Sequence, residues 1–380
     1  MQRRFRAKSL RSLGWVICAL FSACGGDRRD TGLEPEVNPG LPEVVTITPE
    51  DTGDGWRVST PDAEGMDGNM LLAGLQAIRN GDYPKVDSVV IVKNNAVIAE
   101  GYFNGFSRDS LHDLRSASKS VTSALTGIAI SQGLFAIDDT IAELLPNFDS
   151  YANMDDRKRA ITIRHLLHMN SGLDCDDWNS ASPGNEERMY DSPDWVRFIL
   201  DLRMAHGPGE GPAYCTGGVV VLGHIISTKS GMTLDSYAMT YLFAPLGVSE
   251  AGWRRSPDGR ATGGGGMQLR PRDAAKFGSL YLNGGRWNGV PVVPEQWVEQ
   301  SKVEVEKLGA NGYGLLWWKR QMLVPGSDQT GFFAWGNGGN FIFVIPAHRL
   351  LVVFTGSNYN SDRGDKPFEI LDRSILAAIR

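Results

Sequence analysis

Several signatures are missing from this 380-residue chain, and each absence removes a class of function. There is no C-x-x-C and no H-E-x-x-H spacing. His165 and His168 share an amphipathic segment with no carboxylate in register, so no metal site is expected. No G-x-S-x-G elbow occurs, which excludes the α/β-hydrolase arrangement. Excess positive charge is absent, acids outnumbering bases 44 to 38. The net charge is −6, and residues 1–23 hold five basic side chains and no acid, so the remainder carries −11. An acidic body of this kind repels phosphate backbones, and no nucleic-acid role is read. The apolar run Leu13–Ala23 is too short to span a bilayer as a stable anchor. No internal repeat is found.

What the N-terminus does contain reads as an export signal. Arg3, Arg4, Arg6, Lys8 and Arg11 precede the apolar run, and Phe21-Ser22-Ala23-Cys24 follows in the manner of a bacterial lipoprotein cleavage site. Residues 1–23 are thus expected to be a signal peptide and Cys24 a lipidated first residue, with ordinary cleavage as the alternative. That reading places the protein in the periplasm or cell envelope, held to a membrane by its lipid. Residues 24–60, rich in Pro, Gly, Asp and Glu, read as a flexible tether. Of the four cysteines, Cys175 and Cys215 remain in the body. Either they form one disulfide or they are two buried thiols.

Further on, a hairpin is expected from Ser88–Lys93, a turn at Asn94-Asn95, and Ala96–Glu100. A helix opens at Ser116. The middle of the chain is mostly helical, including Gly217–Lys229, and Pro271–Leu282 is another helix. Strands return at Tyr313–Lys319, Phe332–Trp335, Asn340–Ile345 and Leu350–Thr355. Strands at both ends and helices between them imply an α+β fold. An antiparallel sheet would be built from N- and C-terminal strands and flanked by helices. The expected division is an α/β domain (61–137 and 266–380) with a helical domain (138–265) inserted.

The most informative stretch is Ser116-Ala117-Ser118-Lys119. Residues three apart on a helix share a face, so the lysine amine can take the proton of the serine hydroxyl as it attacks. No other lysine in the chain follows a serine at this spacing. Three further segments extend the pattern. Ile163–Leu173 ends in Asn170-Ser171-Gly172-Leu173, Tyr214-Cys215-Thr216 precedes an apolar helix, and Gly336-Asn337-Gly338-Gly339-Asn340 precedes a strand. In order and spacing these resemble the penicillin-recognising serine hydrolases: class C β-lactamases, DD-peptidases, related esterases and 6-aminohexanoate-dimer hydrolases.

The resemblance implies roles residue by residue. Ser116 would be the acylated nucleophile, Lys119 its base, and Tyr214 the group that protonates the leaving group and activates the deacylating water. Backbone N–H groups of Ser116 and Asn340, the latter on an edge strand, would form the oxyanion hole. Asn337, Gly338, Gly339, Trp335 and Thr216 would line the substrate. Aromatic residues flank these segments, among them Trp178, Trp195, Trp317, Trp318, Phe332 and Phe333, and Trp335 is the expected wall. Asp174, Asp176 and Asp177 read either as cleft residues or as a solvated loop.

Two positions depart from the pattern. Thr216 stands where Asn or Ser is usual, and Asn337 stands where relatives carry the cation that binds a substrate carboxylate. The second departure favours small-molecule esters or neutral amides over penicillins and peptides, without cofactor or metal. The alternatives are a β-lactamase or DD-peptidase, or a silent cell-wall peptide-binding protein of the same fold. Oligomeric state is not read.

Overall fold

The computed structural model describes residues 37–322 and 330–380; the signal segment 1–23, Cys24 and the first part of the expected tether lie outside the described residues. The rest of that tether is a correction. β1 (Val44–Thr46) pairs antiparallel with β4 (Ala96–Tyr102), and β2 (Arg57–Val58) runs parallel to the same strand. Trp56 is buried, donates its indole N–H to the Arg272 carbonyl at 3.2 Å and meets the edge of Trp287. Arg272 in turn donates to the Glu50 carbonyl and the Asp54 carboxylate. A few β-branched and aromatic residues in a polar stretch are enough to bind it to the sheet.

β3 (Val86–Lys93) turns into β4 through Asn94 and Asn95, whose φ angles are 51° and 62°. Two consecutive left-handed residues match the twist of a tight hairpin, and asparagine tolerates them well. The C-terminal strands are β5 (Glu306–Leu308), β6 (Asn311–Gly314), β7 (Trp317–Gln321), β8 (Thr330–Gly336), β9 (Asn340–Ile345) and β10 (Leu350–Gly356). Among the described residues the sheet has ten strands in the order β1-β4-β3-β10-β9-β8-β7-β6-β5, with β2 beside β4. Apart from β2, every neighbour is antiparallel. The two ends of the chain meet where Val90 of β3 pairs with Val353 of β10.

Side chains alternate across this sheet. Ile342 and Leu351 face helix Pro271–Leu282, close enough that a Cβ at Gly278 would lie 2.7 Å and 2.6 Å from them. On the other face Phe333, Phe341 and Phe343 meet Phe368 of the C-terminal helix. Three helices matter for the site. These are α1 (Ser118–Ser131), buried for most of its length, α2 (Glu186–Tyr190) and α3 (Thr216–Ser230). α3 packs on α1.

One expected strand, Tyr313–Lys319, is a hairpin instead. Leu315 and Leu316 turn it with φ of 47° and 62°, a costly geometry for leucine. Both are buried, the Leu316 N–H donates to Leu167, and the Ser120 hydroxyl donates to the Leu316 carbonyl. Burial and these bonds hold a turn that the local sequence disfavours.

Candidate active site

Asp113 fixes the turn that presents Ser116. Its carboxylate accepts the Arg115 backbone N–H at 2.7 Å and faces the Arg115 guanidinium at 3.1 Å, while Arg115 sits at φ 50°. The Ser118 hydroxyl then donates to the Arg115 carbonyl at 2.6 Å, and the 3₁₀ turn Arg115–Ala117 feeds α1. Ser116 therefore stands at a helix head, where backbone N–H groups lack helical acceptors.

Lys119, one turn on, is only 1% exposed. Its Nζ donates to Ser116 Oγ at 3.0 Å and to the Gly264 carbonyl at 2.6 Å. It also lies 4.9 Å from the centre of the Tyr214 ring. Burial pushes the Tyr214 phenol up from its ordinary pKa, opposed by Lys119 and by hydrogen bonding to Ser116 and Lys119. A hydroxyl bracketed by an amine and a phenol in a desolvated setting is an arrangement able to move one proton between three heavy atoms. Spacing had pointed to Ser116 and Lys119 and the family resemblance to Tyr214, and the fold brings the three together.

Tyr214 lies in an aromatic stack. Trp178 stacks on its ring at 5.5 Å with planes 8° apart, and Trp318 stacks at 5.5 Å with planes 30° apart. Trp335, half-buried, meets the edge of Trp318 at 5.3 Å. Trp178 is 49% exposed, so one side of this stack is open to solvent. Of the other aromatics expected at the cleft, Trp195, Trp317, Phe332 and Phe333 are buried in the core.

The glycine segment departs from expectation. Gly336 passes directly against the serine turn, since a Cβ there would lie 2.1 Å from the Leu114 carbonyl. Asn340, however, is on an inner strand, because β9 lies between β8 and β10. Its backbone pairs with Gly336, and its buried amide is bonded to Asn337 and Gly356. It is not the edge position that an oxyanion donor requires. Gly338 and Gly339 are both at φ 96°, and a Cβ on them would meet Tyr359 and Pro367. Asn337 is exposed, but its amide N–H donates to Asn360 Oδ1 at 2.7 Å and its Oδ1 accepts the Asn360 N–H at 2.9 Å. Thr216 is buried behind the tyrosine, its methyl group turned to Gly264. The Thr216 side chain is thus enclosed, and the Asn337 amide is engaged by Asn360.

The fold also settles the cysteines. Cys175 and Cys215 form a disulfide, with Cα atoms 5.5 Å apart. Beside it is a residue that sequence reasoning left among three equivalent carboxylates. Asp177 accepts the Thr216 N–H at 2.6 Å and the Glu186 N–H at 2.9 Å, capping α3 and α2 together. Asp176 instead caps its own turn at Trp178.

Comparison with known proteins identifies the family and the fold. A family model described as Beta-lactamase matches residues 82–375. The 6-aminohexanoate-dimer hydrolase of Paenarthrobacter ureafaciens is 27% identical over 226 residues, 56% of this chain and 56% of that protein. Penicillin-binding protein 4* of Bacillus subtilis is 31% identical over 149 residues, 37% of this chain and 30% of its own length. The chain thus spans about half, or less, of these relatives. Among solved structures, a class C β-lactamase from Rhodobacter sphaeroides superposes with TM-score 0.62 at 15% identity, covering 82% of this chain and 100% of its own. A penicillin-binding protein homologue from Caulobacter crescentus gives 0.64 at 15% identity, covering 83% and 99%. These likenesses show the shared fold.

Proposed function

The chain belongs to the beta-lactamase family, a family of serine hydrolases, and from that premise we propose that it hydrolyses carboxylic esters or small neutral amides through an acyl-serine intermediate. The observation that carries this reading is the Ser116 hydroxyl held 3.0 Å from the buried Lys119 amine beside Tyr214.

In the proposed cycle the Lys119 amine takes the Ser116 proton as Oγ bonds to the substrate carbonyl carbon. The tetrahedral oxyanion is met by the Ser116 N–H and by the chain just after Gly336, the residue at which β8 lies against the serine turn. Collapse breaks the bond to the leaving group, which takes the Tyr214 phenol proton, and the Lys119 ammonium restores that proton. Water then repeats the sequence against the acyl-enzyme, giving up its proton through Tyr214 and releasing the acid and Ser116.

The preference for neutral substrates rests on Asn337. Its side chain carries no charge and is bonded at both ends to Asn360, so it offers no cation to a substrate carboxylate. The same proposal places the protein in the bacterial cell envelope with Cys24 lipidated, on the strength of residues 1–24 alone.

The test is hydrolysis of 4-nitrophenyl acetate by wild type and Ser116→Ala side by side. Turnover confined to wild type is expected. Equal turnover in both would remove the nucleophile.

A further inference from the structure

We infer that Asp177 is a positioning residue, the centre of a clamp over Cys175–Trp178 that holds Tyr214 against Ser116 and Lys119. The inference rests on the serine-hydrolase reading above and adds a residue to it.

Four links join this short strip to the tyrosine segment. The Asp177 N–H donates to the Tyr214 carbonyl at 2.8 Å. Its carboxylate accepts the Thr216 N–H at 2.6 Å. Cys175 is bonded to Cys215, and the Trp178 ring lies flat on the Tyr214 ring. The carbonyl, the next side chain, the following N–H and the ring itself are thus each held from one strip. The strip is anchored in turn, since Asp177 also accepts the Glu186 N–H at the head of α2, and Asn185 donates to the Asp177 carbonyl at 3.1 Å. A shift of about 1 Å in a catalytic group costs on the order of a hundredfold in rate, so a clamp here acts on kcat.

The carboxylate accepts one N–H on each oxygen, and protonating either oxygen puts a donor where an acceptor is needed. Around it stand Glu186 and Tyr190 on α2, Lys119 on α1 and Tyr214 itself. Burial first, then the Glu186 carboxylate, push Asp177 up to about 7, against the pull of Lys119 and the Thr216 bonds. As pH falls through that value the acid gains a proton, one N–H loses its acceptor, and the hold on Tyr214 loosens.

The experiment compares kcat and KM for 4-nitrophenyl acetate across about pH 5.5–9. The proteins are wild type, Ser116→Ala, Asp177→Asn and the double variant Cys175→Ser/Cys215→Ser. In Asp177→Asn the new amide offers a single acceptor oxygen to two donors. Asp177→Asn is expected to lower kcat on the order of a hundredfold, with KM within about threefold. Wild-type kcat is expected to fall as pH drops through about 7, and Asp177→Asn is expected to lack that fall. The double serine variant is expected to lower kcat while keeping that fall, because Asp177 remains. Wild-type kcat in Asp177→Asn, or a lowered kcat with the wild-type pH profile, would overturn the clamp. Should Asp177→Asn not fold, the double variant decides: lowered kcat at unchanged KM supports the clamp, and unchanged kcat overturns it. No Ser116-dependent turnover in wild type would overturn the hydrolase reading and the clamp with it, an outcome separate from the others.

Discussion

Gly336 runs so close to Leu114 that a single added methyl group would lie 2.1 Å from the Leu114 carbonyl oxygen. The same Cβ would come within 3.1 Å of the Ala117 nitrogen. This contact sets the end of β8 on the turn that carries Ser116. It explains a glycine there by space rather than by backbone angle, since Gly336 is not in the left-handed region.

Gly336→Ala should therefore push β8 off the serine turn. The expected result is a drop in kcat on the order of a hundredfold with a stability loss of about 1–3 kcal/mol. Kinetics paired with a thermal melt check it. Wild-type kcat in the variant would show that β8 contributes nothing to the site.

Asn337 gives a contrasting expectation. Because Asn360 takes both ends of its amide, Asn337→Ala should leave the rate of Ser116 acylation by benzylpenicillin within about twofold, as expected for a group that binds no substrate carboxylate. A tenfold fall in that rate would instead place Asn337 in direct contact with the ligand.

His168 gives a prediction about stability. Burial first, then the positive charges of Arg164, Lys319 and His165, hold its pKa at about 4, below the ordinary 6.5. Between those values the unfolded chain binds a proton that the folded one refuses. Stability is therefore present above about pH 6.5 and is lost as pH falls toward 4, by on the order of 2–3 kcal/mol. Denaturant titrations of wild type and His168→Gln at pH 7 and pH 4.5 measure the difference. The variant should lose less stability on acidification than wild type, and an equal loss would mean that His168 is not held neutral.

How much of this was legible in the sequence depended on whether a signal was local. The turn at Asn94-Asn95 was readable because asparagine accepts left-handed angles. The turn at Leu315-Leu316 was not, because its support comes from Leu167 and Ser120, distant in the chain. Ser116 and Lys119 stood out through their spacing, and Tyr214 through the resemblance of its segment to the family's tyrosine motif. Asp177 did not, since Asp174, Asp176 and Asp177 are chemically alike and only the meeting of two helix heads separates them. The misplacement of Asn340 has the same origin. Strand position in a sheet is a property of the neighbours, and β10 and β8 enclose β9 from both sides.

The central claim is that Ser116 forms a covalent acyl intermediate with Lys119 as its base. Intact-protein and peptide mass spectrometry after rapid acid quench of a 4-nitrophenyl ester reaction tests it most directly. The prediction is an added acyl mass on the peptide containing Ser116, absent in Ser116→Ala and formed several orders of magnitude more slowly in Lys119→Ala. Turnover without any acyl adduct, or an adduct formed in Lys119→Ala at the wild-type rate, would contradict it.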